Sequence, residues 1–120
     1  MFLSLLPYRG YALIIRNQLN KLFYHVTLAE DGLHALELIK NKQSPKFDLI
    51  LMDLEMPRLT GLQATAEIRE KQLSYAPIYA LTSHNSEEIR RLCRTAKMNG
   101  YLQKPLKIDK IKSTLDKLFV

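Results

Sequence analysis

The chain has 120 residues, 47% hydrophobic and 25% charged, with only four Gly and five Pro. That is enough for one globular domain that buries roughly two-thirds of its unfolded surface without a disulfide or a metal, and it excludes a disordered segment, a collagen-like repeat and a small disulfide scaffold. The net charge is +6, and it is uneven: residues 1–60 carry 7 basic against 6 acidic side chains, residues 61–120 carry 11 against 6, an imbalance that bears on association and solubility rather than on fold.

The apolar start, Met1-Phe-Leu-Ser-Leu-Leu-Pro7, has six residues before its proline, too few to cross a bilayer or to form the apolar stretch of a signal peptide behind a basic flank. It predicts a short strand. Tyr24–Ala29 is a second strand candidate, and Leu33, Leu36 and Ile39, joined by Ala35 and Leu38, then recur at helical spacing. Phe47–Asp53 gives the strongest local signal, because Leu49 to Met52 run without a polar break and are then met by an acid. A strand with no polar alternation is buried on both faces, the habit of a central strand in a parallel sheet. Leu62, Thr65 and Ile68 predict the next helix and Pro77–Thr82 the next strand. Asn85-Ser-Glu-Glu88 carries the N-cap and reciprocal acid of a capping box, which opens a helix ending near Asn99-Gly100. Gly100–Gln103 is a last strand candidate, and Ile108, Ile111, Leu115 and Leu118 predict a closing helix.

Strand and helix alternate five times, which argues for right-handed βαβ units and a parallel sheet covered on both faces. Function in such sheets gathers at the carboxyl ends of the strands. Those ends offer Asp53, Thr82 and, just past the last strand, Lys104-Pro105. An anion, a hydroxyl and a cation therefore fall on one rim.

With these residues in place the sequence resembles the receiver domain of two-component response regulators and hybrid histidine kinases, from about Ala12 to Val120. Leu51-Met-Asp-Leu-Glu-Met-Pro57 followed by Gly61 is similar to the family's phosphoacceptor motif, and Ala80-Leu-Thr82 and Gly100-Tyr-Leu-Gln-Lys-Pro105 follow in the family's order. The resemblance implies an α/β, flavodoxin-like, doubly wound five-stranded parallel sheet in the order 2-1-3-4-5, with residues 1–120 forming one receiver-like domain that is not itself an enzyme. It implies that Asp53 accepts a phosphoryl group from a phosphohistidine, that Lys104 supplies the compensating ammonium, and that Thr82 and Tyr101 form the switch. It also implies a cis peptide at Lys104-Pro105, and Mg²⁺ held by Asp53 and the backbone carbonyl of Glu55. Taken singly, Asp53 reads as a turn former or helix cap, Thr82 as an N-cap or loop hydroxyl, Tyr101 as half-buried core and Lys104 as a solvated charge.

The sequence departs from the family at one place. Receivers carry two adjacent acids at the end of the first strand; aligning Arg16–Leu22 with the first helix puts those positions near Leu6-Pro7, and the first acid of the chain is Glu30. Mg²⁺ asks for octahedral oxygen ligands, usually with one or two carboxylates, so the expectation is a weak or absent metal site, with the Glu55 side chain as a contributor and Asp31 as a more distant one. Two explanations stand: a degenerate receiver that acts as a phosphorylation-independent interaction or dimerisation domain, or an altered start on an ordinary one.

The partners implied are a histidine kinase or histidine phosphotransfer protein, docking on Tyr11, Ile14, Ile15 and Pro105-Leu106, with self-association through the basic helix of Arg90, Arg91, Arg94 and Lys97 as the alternative. No helix-turn-helix, zinc finger or aromatic RNA motif accompanies those arginines, so no nucleic-acid contact is expected, nor any membrane contact. His25, His34 and His84 show no ligand spacing. Cys93, the single thiol, reads as a small packing residue and suits a reducing compartment, the cytoplasm.

Overall fold

The computed structural model describes residues 2–5, 10–41, 43, 46–54, 60–83 and 86–118. Its centre is the apolar run expected to be buried on both faces. That run forms β3 (Leu49–Asp53), in which every residue is buried. Side chains alternate across a strand, and the core divides accordingly: Leu49 and Leu51 join Ile15, Leu19, Leu81, Ile111 and Leu115 on one face, while Ile50 and Met52 join Leu36, Ala64, Ile68 and Ile78 on the other.

Ten elements alternate along the chain: β1 (Phe2–Leu5), α1 (Gly10–Lys21), β2 (His25–Leu28), α2 (Gly32–Lys40), β3, α3 (Gly61–Glu70), β4 (Ile78–Thr82), α4 (Glu87–Thr95), β5 (Gly100–Gln103) and α5 (Ile108–Leu118). All strand pairs are parallel, and the sheet order is β2-β1-β3-β4-β5. This is the doubly wound arrangement expected, with α1 and α5 supplying one core face and α2 and α3 the other. The short N-terminal run is a strand of this sheet: Leu3 stands in register with Val26 on one side and Leu49 on the other.

Local chemistry fixes the helix starts. Asp31 caps α2 by accepting from the His34 N–H. Thr60 and Gln63 form a reciprocal capping box on α3. α4 corrects the expected cap by one residue: Ser86, not Asn85, is the N-cap, its hydroxyl accepting from the Ile89 N–H, and Glu88 lies in the first turn. Ser and Asn are equally good caps, so composition could not separate them. That helix also ends at Thr95 rather than near Asn99-Gly100. The α2 stripe is rotated too, for Gly32, Ala35 and Leu36 are buried whereas Leu33 is 40% exposed.

Candidate functional site

Three strand ends meet at the carboxyl rim of the sheet. Asp53 closes β3 and is 1% exposed. The backbone continues one residue further in register, with the Leu54 N–H donating to the Leu81 carbonyl at 3.0 Å. Gly61, first in α3, sits against the Asp53 carbonyl; a Cβ there would collide with that oxygen and lie 2.9 Å from Met52 Cγ. Only glycine lets the helix start so close to the acid-bearing strand.

Thr82 closes β4 and is fully buried. Lys104 follows β5, and its N–H donates to the Thr82 carbonyl at 2.8 Å, which carries the strand register one residue past Gln103. The Lys104-Pro105 peptide is cis, and Leu106 behind it is buried in the core. From this anchored backbone the Lys104 ammonium reaches Asp53, with Nζ 2.5 Å from Oδ2. A carboxylate this deeply buried needs such a partner, because an isolated charge is strongly penalised away from water. Tyr101 stands on β5 in register with Ala80, two residues before Thr82, and is half-buried. The guanidinium of Arg90 on α4 lies over its ring.

The rim therefore brings together Asp53, Thr82 and Lys104, as their spacing implied. Asp31 caps α2, accepting the His34 N–H on Oδ1. Glu55, Met56, Pro57, Leu6, Pro7 and His84 lie outside the described residues. The expected docking patch is smaller than its sequence suggested: Ile14 is 60% exposed, but Ile15 and Leu106 are core residues. Helix phase explains the first, since adjacent positions are about 100° apart, and the turn after β5 directs Leu106 inward. Of the histidines, His34 accepts the Glu30 N–H on Nδ1, a capping role. Cys93 is buried, and desolvation pushes its thiol above the usual range.

The response regulator receiver domain family matches residues 10–116. The chain belongs to that family, the phosphorelay modules of two-component signalling. It is 40% identical over 84 residues to the CAI-1 autoinducer sensor kinase/phosphatase CqsS of Vibrio cholerae, covering 68% of this chain and 12% of that protein. It is 36% identical over 106 residues to the sensor protein EvgS of Escherichia coli, covering 88% of this chain and 8% of that protein. The chain thus spans about a tenth of the length of these curated relatives. Among solved structures it superposes on the chemotaxis protein CheY4 of Vibrio cholerae with a TM-score of 0.86 at 26% identity, covering 98% of this chain and 97% of that one. The receiver domain of the sensor histidine kinase PA1611 of Pseudomonas aeruginosa gives 0.82 at 34% identity, covering 98% and 94%, and that structure has a magnesium ion coordinated in its active site cleft.

Against that cleft the described residues of this receiver offer few donors. No group of three or more His, Cys, Asp or Glu side chains able to hold a metal occurs among the described residues. Among the described residues of these three strand ends Asp53 is the one carboxylate, and its Oδ2 pairs with Lys104. No helix among the described residues is long and apolar enough to cross a membrane.

Proposed function

We propose that this receiver accepts a phosphoryl group on Asp53 from a phosphohistidine of a histidine kinase or histidine phosphotransfer protein, and that the modification switches a protein-interaction surface. The observation that carries the reading is the convergence of Asp53, Thr82 and Lys104 on one rim, with the ammonium against the carboxylate. In the transfer a carboxylate oxygen of Asp53 attacks phosphorus in line, an O–P bond forms as the P–N bond to imidazole breaks, and the imidazole leaves. There is little covalent work for the protein to do, so placement and electrostatic compensation dominate. Lys104 offsets the charge gathered on the phosphoryl oxygens as a point charge on a flexible stem. Thr82 donates its hydroxyl to one of them, and Tyr101 follows that hydroxyl inward.

Mg²⁺ would be held by Asp53 and the Glu55 carbonyl, and when bound it neutralises phosphoryl charge. Weak binding is the proposal here, because the donor set is short. A second reading, a pseudo-receiver that works through contacts without phosphate, is favoured by the absence of any acid before Glu30. Incubation with a small acyl-phosphate donor and Mg²⁺, followed by intact mass, tests the first against the second. A single phosphoryl adduct, lost in Asp53→Asn, is the expected result; no adduct at any donor concentration supports the pseudo-receiver, and an adduct persisting in Asp53→Asn overturns the assignment.

A further inference from the structure

The pairing of Arg90 with Tyr101 has no counterpart in the sequence signals of either residue. The Arg90 Cζ lies 6.0 Å from the Tyr101 ring centroid, within the range at which a cation is drawn to an aromatic face. The rest of the guanidinium is loosely held. Its ion pair with Glu87 spans 3.9 Å, and that exposed carboxylate is shared with Arg94 at 3.4 Å. The Arg90 Nε is buried and has no hydrogen-bond partner among the described residues. A donor removed from water without an acceptor is kept in place by what packs on it, not by its own bonding.

Beside the pair, a cavity of about 190 Å³ opens between α4 and β5, lined by Arg90, Cys93, Met98 and Tyr101 among others. The ring is therefore not wedged on this side by close packing. The guanidinium of Arg90 is the cation that faces the ring on this side.

We infer that Arg90 is a positioning residue for Tyr101: it holds the ring on the α4 side, so that movement of the ring toward Thr82 requires giving up the cation contact. The inference rests on the reading of Thr82 and Tyr101 as a coupled pair. A partly exposed contact of this kind shifts a two-state equilibrium roughly two- to fivefold. Arg90 then sets a threshold for switching without locking it.

The test compares wild type with Arg90→Met, which keeps the aliphatic stem and removes the planar cation, and Arg90→Lys, which keeps charge without the plane. In the unmodified proteins, aromatic NMR reads the Tyr101 ring. Contacts from the ring to the residue-90 side chain are expected in wild type, lost with rotamer averaging in Arg90→Met and partly restored in Arg90→Lys. Equilibrium labelling of Asp53 by an acyl phosphate is expected to rise roughly two- to fivefold in Arg90→Met, with the unfolding midpoint lowered by no more than about 5 °C. A Tyr101 ring unmoved in Arg90→Met overturns the positioning role. A freed ring with unchanged labelling overturns its link to the switch. If none of the three proteins labels at all, the phosphoacceptor reading fails with that link, and the ring data alone decide whether Arg90 places Tyr101.

Discussion

Arg69 Nη2 donates to Asn99 Oδ1 at 2.9 Å, at the end of the sheet opposite Asp53. The same oxygen accepts from the Ile78 N–H at 2.9 Å, and the Asn99 N–H returns a bond to the Ile78 carbonyl. Arg69 also donates to the carbonyls of Ser74, Ala76 and Lys97. One guanidinium thus gathers the end of α3, the segment before β4 and the segment before β5. Burial pushes it below its ordinary value, but an arginine stays protonated in proteins, so the charge-assisted bonds persist.

Arg69→Met should therefore lower the unfolding free energy by about 2–4 kcal/mol, because it strands several acceptors at once. Arg69→Lys should recover only part, since an ammonium lacks the fork that reaches several acceptors. Chemical denaturation measures both. A loss below about 0.5 kcal/mol, the level of an ordinary surface change, would show that water replaces the clasp.

Arg69 did not stand out in the sequence and Asn99 did only as a helix-end signal, and the reason is physical: most of the acceptors of Arg69 are backbone carbonyls, which every residue carries. The rim was legible for the opposite reason. Asp53 and Thr82 end successive parallel strands and Lys104 directly follows the next, and a parallel sheet must place such ends on one edge. β3 was legible because burial on both faces erases polar alternation. Gly61 joins the two levels, since its close approach to the Asp53 carbonyl ties the helix start to the acid. Gly61→Ala should cost about 1–3 kcal/mol, the range for overpacking, and slow labelling of Asp53 by displacing its backbone. Unchanged stability and labelling would mean that α3 shifts freely.

Helix ends were the least legible feature, because this chain stops three helices without glycine. Phe23, Gln72 and Lys97 all have positive φ. In each case the next residue donates back to a buried residue of the last turn: Tyr24 to Leu19, Leu73 to Ile68 and Met98 to Cys93, the Schellman pattern with its apolar contact. Phe23 is 90% exposed, so its ring offsets little of the left-handed strain. That strain costs about 1–2 kcal/mol, and glycine gives back about 0.4–1 kcal/mol through the unfolded chain. Phe23→Gly should then stabilise by about 0.5–1 kcal/mol in thermal or chemical unfolding. A destabilised variant would show that the aromatic ring makes up for the strain.

Cys93 gives the chain a pH signature. Desolvation raises its thiol, with Arg94 opposing weakly. A raised value means the native state keeps the proton longer than the unfolded chain. The contribution to stability is full below the unfolded thiol value, about 8.5, and declines as pH rises through it toward the raised native value. The stability difference between wild type and Cys93→Ala should therefore narrow between pH 8 and pH 10, and native protein should resist alkylation that proceeds at once in denaturant. Rapid native alkylation at pH 8 would contradict both the burial and the shift.

We propose α1, on which Ile14 is exposed, as the face that docks a phosphohistidine-bearing helix. Ile14 is 60% exposed although Ile15 beside it is core, and Pro105 is exposed on the rim beside Lys104 and Lys107. The exposed Lys107 near Pro105 suits a helical partner with an acidic rim, since opposite charges steer encounter and an apolar surface supplies contact. Ile14→Asp removes that contact and adds a like charge toward such a partner, while an exposed helix position tolerates the change. It should weaken capture of a histidine phosphotransfer domain at least tenfold, about 1.4 kcal/mol, with an unfolding midpoint near that of wild type. Arg91, exposed on α4 and only loosely paired with Glu88 at 3.8 Å, marks the alternative surface for self-association. Arg91→Glu should leave phosphotransfer-domain binding intact and alter only the elution volume in sizing chromatography. If Arg91→Glu abolishes partner binding and Ile14→Asp does not, the docking face is α4 and not α1.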